Sequence, residues 1–102
     1  MYVGLGRFRR GEMLAGARLV QGYALDRLME LAAWIEVEQP VASDPFAGER
    51  RFEQRFPSVA ASLPRFMQGY ERTPESARAI LLFLDQHFEI NSALRAAILA
   101  LC

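Results

Sequence analysis

The sequence predicts an all-α fold, a small bundle of about five helices arranged around one long central helix. Three observations carry this. The stretch from Glu12 to Glu38 runs without a proline and repeats its apolar residues at three and four. Capping residues and prolines punctuate the rest of the chain at helix-length intervals. No segment alternates apolar and polar residues in the way a half-buried strand does.

Met1 to Arg10 places Tyr2, Leu5 and Phe8 at spacings of three, which suits a helix, although Gly4 and Gly6 each weaken it by up to about 1 kcal/mol. Gly4-Leu5-Gly6 does not open a dinucleotide loop, because Arg9 stands at the third glycine position and no strand precedes it. Gly11 turns the chain ahead of the central helix. On that helix Met13, Ala17, Val20, Ala24, Leu28, Leu31 and Ile35 form one stripe, widened by Leu14, Leu25 and Ala32. Leu19, Tyr23 and Trp34 make a narrower ridge on nearly the opposite side, mixed with Arg27 and Glu30. A helix apolar on two sides needs cover on two sides.

Gln39-Pro40 is expected to end this helix, since proline pushes the preceding residue out of the α region. After a linker at Val41 to Ser43, Asp44-Pro45 opens a helix to Phe56, charged outside and carrying Phe46, Phe52 and Phe56 inside. Pro57 stops it. Ser58 to Gly69 is interrupted by Pro64 and reads as two short pieces or one kinked helix. Thr73-Pro74-Glu75 is a helix start with cap, proline and acid in order, and the helix runs to about Glu89. Asn91 caps a last helix bearing Leu94, Ala97, Ile98 and Leu101.

The 102 residues suffice for one domain, residues 1–102, with a modest core. Twelve acidic and twelve basic residues cancel, so no global charge draws the chain to nucleic acid or to an acidic membrane. The last helix, as the second half of a helix-turn-helix, offers one arginine and almost no base-reading side chains. The single cysteine, Cys102, allows no internal disulfide. With neither a leader segment nor a membrane span in the sequence, the expected location is the cytoplasm.

Candidate sites are few. Gln21 falls inside the apolar stripe, where its amide needs partners or lines a pocket. Arg18 lies one turn away, Gly22 allows close approach, and a small apolar ligand is expected near Gln21 and Tyr23. Asp26 and Glu30, four apart, stack their carboxylates on one helix face, as a magnesium site or a base requires and as a salt-bridged face equally explains. Arg18, Gln21, Tyr23, Asp26 and Glu30 are thus the ligand-binding candidates. His87 has no cysteine or second histidine to complete a metal set, so it is expected at the edge of a packed face. Arg50, Arg51, Arg55 and Arg65 interleave with Glu49 and Glu53 as a solvated charge network. No cofactor is implied.

A helix ending in Arg10-Gly11-Glu12, the long helix with its stripe, an acid-and-arginine segment after Ser43 and two further helices make a sequence of elements that resembles the C-terminal helical domain of lincosamide-type antibiotic nucleotidyltransferases. Aminoglycoside nucleotidyltransferases have a comparable domain. The resemblance implies a role in shaping an acceptor pocket and in dimerisation. It also implies that catalysis lies elsewhere, in a catalytic domain lost from this chain, cut away from it or separately encoded, because the family's Gly-Ser motif and paired aspartates match no position here. The expectation is a homodimer with no activity of its own. The alternative is a free-standing helical protein that binds a small molecule or another protein.

Overall fold

The computed structural model describes residues 1–41 and 49–102. The helix start expected at Asp44-Pro45, with Phe46, lies outside them. Every regular element among the described residues is helical. Helix α1 spans Tyr2–Arg9, and Gly11 turns the chain at φ +90°. The central rod follows as α2 (Met13–Ala17), a π-helical segment (Arg18–Ala24) and α3 (Leu25–Glu30), then, after Leu31, α4 (Ala32–Ile35). Three short helices come next: α5 (Phe52–Arg55), α6 (Pro57–Ala60) and α7 (Leu63–Phe66). A 3-10 turn (Tyr70–Arg72) leads into α8 (Thr73–His87), and α9 (Ser92–Leu101) closes the chain.

The expected uninterrupted helix from Glu12 to Glu38 is therefore a jointed rod, and it stops at Ile35. Glu36 is extended (φ −142°, ψ 160°). Its carboxylate accepts from Val59 N at 2.8 Å and Ser58 N at 3.3 Å, at the start of α6. A carboxylate there satisfies donors that four-residue α6 cannot satisfy internally. Continuing the rod in helical geometry to Gln39-Pro40 would forfeit that cap. Between Glu49 and Phe56 the expected continuous helix is also broken, since Arg51 adopts a left-handed conformation (φ 63°) and only α5 follows.

The thinnest dimension, 19 Å, accommodates about two helix diameters. Between these layers lie Leu5 of α1, Val20, Leu25 and Leu28 of the rod, Phe66 of α7, and Ile80 and Leu81 of α8, all buried. Helix α1 approaches the rod through two glycines. A Cβ on Gly16 would stand 2.7 Å from the Gly4 carbonyl oxygen and 2.8 Å from Phe8 Cβ; one on Gly4 would stand 2.9 Å from Leu19 Cβ. The helix cost expected of Gly4 is thus offset by backbone approach that no larger residue permits.

Asn91 caps α9 as expected, its Oδ1 accepting from Leu94 N at 3.0 Å. Thr73 does not cap α8. Its backbone is already helical behind the 3-10 turn, and its buried hydroxyl accepts instead from Gln21.

Candidate functional site

The π-helical segment carries Gln21, and Gln21 ties the rod to the turn before α8. Its Nε2 donates to the Gly69 carbonyl at 2.7 Å and to Thr73 Oγ1 at 3.1 Å, while its Oε1 accepts from Gly69 N at 2.9 Å. Gly69 presents both backbone groups to one side chain at φ +117°, where other residues are strained. Both amide donors are engaged within the chain. A shallow depression of about 340 Å³ does lie over this tie, lined by Leu14, Arg18, Gln21, Gly22 and Tyr70 among others. Arg18 and Gln21 thus come together, as their spacing suggests.

Tyr23 goes elsewhere. It is exposed, and the Arg27 guanidinium stands 4.9 Å from its ring centroid. Arg27 in turn bridges Glu30 at 2.9 Å, which makes a ladder of three side chains along an exposed face. Pairs of this kind at i, i+3 on a wet surface contribute little to stability.

Asp26 and Glu30 face a second groove, about 410 Å³, between the rod and α5. Met29, Ala33, Phe52 and Phe56 give it apolar walls; Glu38 and Glu49 add two carboxylates to its rim. Both its arginines are in ion pairs, Arg27 with Glu30 and Arg55 with Glu38 at 2.6 Å. Among the described residues no three His, Cys, Asp or Glu side chains are grouped as a metal ion requires. Asp26 and Glu30 thus form no part of such a group of three among the described residues.

A third groove, also about 410 Å³, runs between α7 and α8. Phe66 and Phe83 meet edge-on in its wall, with centroids 5.2 Å apart. Ala79 and Leu82 extend the apolar surface, and Arg65 and Arg78 supply its charge. Nothing in the sequence joins these two arginines, thirteen residues apart on different helices; the Ser62–Gly69 bend brings them to one groove. His87 packs its ring on Phe83 at 4.7 Å, at the edge of a packed face as expected.

Cys102 is half-buried, and burial pushes its thiol above the ordinary range, opposed by the positive charge of Arg78 and Arg9. Among the described residues no helix is long and apolar enough to cross a membrane. Comparison of the chain with protein-family models, with curated proteins and with solved structures finds no match.

Proposed function

We propose that this chain is a non-catalytic helical interaction module that pairs with a second copy of itself. It serves the role that the helical domain of lincosamide- and aminoglycoside-type nucleotidyltransferases plays, shaping an acceptor site beside a catalytic domain on another chain. One observation carries the reading. Trp34 at the end of the rod is 80% exposed and Val37 beyond it 83% exposed, beside exposed Ala33. A tryptophan left in water forgoes much of the burial that makes it a frequent anchor of interfaces. Twofold pairing through the rod end covers the same patch on both copies.

Sedimentation at micromolar concentration tests this. The expected result is a dimer that Trp34→Ser converts to a folded monomer. A wild-type monomer rejects self-association. Adenylyl transfer to a panel of lincosamides and aminoglycosides, with this chain alone, is expected to give no product, and turnover would reject the non-catalytic reading. A second reading, a free-standing helical protein that binds a small molecule, draws support from the two 410 Å³ grooves, within the size range of small-ligand sites.

A further inference from the structure

We infer that the groove between α7 and α8 binds an amphiphilic carboxylate, a monoanionic head on an alkyl or aryl body. The argument starts from where the charges on α8 go. Glu75 is paired with Arg72 at 3.1 Å. Asp85 lies 2.9 Å from Arg95, close enough for an ion pair though not aligned as a hydrogen bond. These two carboxylates are thus matched by arginines outside the groove. Arg78, between them on the same helix, has no ion-pair or hydrogen-bond partner among the described residues.

Arg65 enters from α7. It donates through Nη2 to Ser62 Oγ at 3.2 Å and is in no ion pair among the described residues. Among the described residues the groove lining therefore holds two guanidinium groups and no carboxylate, in a chain whose charges sum to zero. The contrast with the groove beside α5 is direct, since there each arginine already has its acid.

The rest of the lining selects the body of the ligand. Phe83, backed edge-on by buried Phe66, forms an aromatic wall, and Leu82 is partly exposed beside it. An alkyl chain or aromatic ring laid there is removed from water on one side, while the head meets the arginines. Arg78 offers its whole planar fork to a two-oxygen head. Arg65, held by Ser62, adds the second positive charge. Gln86 gives a neutral amide at the rim.

Nuclear magnetic resonance titration of the full chain with octanoate tests the assignment, with 1-octanol and octylammonium as matched controls. Saturable octanoate binding below about 1 mM is expected, with the largest shifts at Ala79, Leu82 and Phe83 and at the Arg78 guanidinium. Octanol and octylammonium are expected to bind at least about tenfold more weakly, a gap of about 1.4 kcal/mol. Arg78→Gln and Arg65→Gln should each weaken octanoate by about tenfold without altering the amide spectrum elsewhere, because both side chains are exposed. Equal binding of all three probes, shifts centred on Trp34 or Tyr70, or no saturation overturns the inference. If Arg65→Gln disturbs the Ser62 corner, Arg78→Gln alone decides, and unchanged affinity there overturns it.

Discussion

The two ends of the central rod are built to opposite specifications. From Met13 to Ala24 the rod touches other backbone directly: Gly16 against Gly4 and Phe8, and Gln21 against both backbone groups of Gly69. From Leu25 to Ile35 its contacts are ordinary side-chain packing on one face, and its other face carries exposed Trp34 and the wet pair of Arg27 and Glu30. The first end has no slack. The second tolerates change, which is where a protein can place a surface for a partner without disturbing its own core.

Substitutions at the two ends should therefore differ sharply. The largest effect is expected at Gly16. Gly16→Ala sets a methyl against the Gly4 carbonyl and Phe8 Cα, neither of which moves without shifting α1, and should cost about 1–3 kcal/mol in urea denaturation. For a domain of this length that is a fall in Tm of several degrees per kcal/mol. Gly16→Val should exceed it. Gln21→Leu comes next: it leaves Gly69 N and O and Thr73 Oγ1 without their partner, an expected loss of about 1–3 kcal/mol. A neutral or stabilising Gln21→Leu would mean the amide contributes nothing beyond its volume.

Below these stands Glu36→Ala, which removes the acceptor from Val59 N and Ser58 N and should cost about 1 kcal/mol, read by the same denaturation. The smallest effect is expected at Trp34→Ser, within about 0.5 kcal/mol for the monomer. If Trp34→Ser destabilised the monomer as much as Gly16→Ala, the contrast between the ends would collapse.

The helical class was legible because its signals are local. Asn91 announces a cap and makes one; Pro57 and Pro64 divide their region into α6 and α7. What escaped the sequence depends on tertiary partners. Thr73 has the composition of a cap but serves as an acceptor for Gln21, fifty-two residues earlier in the chain. Glu36 looks like one more helical glutamate, and only the position of α6 explains why it leaves the helix. Gly4 and Gly16 read singly as weak helix formers; their close approach appears only when α1 folds back on the rod.

Among the candidate residues, the pairing of Arg18 with Gln21 and of Asp26 with Glu30 followed from helical spacing. Their separation into two different grooves did not, because a wheel places residues around an axis and says nothing of which neighbour covers each side. The Arg65–Arg78 groove gave no sequence signal at all. Its two cations come from separate helices, and the identity of the arginines that lack an acid depends on pairings such as Arg72 with Glu75 and Arg95 with Asp85.

The π-helical segment acts as a phase shifter. Each of its hydrogen-bonded rings encloses one residue more than an α-turn, so the backbone slips in angle between Arg18 and Ala24. Rewinding the same residues as uniform α-helix would rotate everything from Leu25 onward by about 100° relative to Met13–Ala17. Leu28 and Ala32 would then swing out of the core and the face bearing Trp34 would turn with them. The two ends of the rod can be specified separately because this segment sets the angle between them.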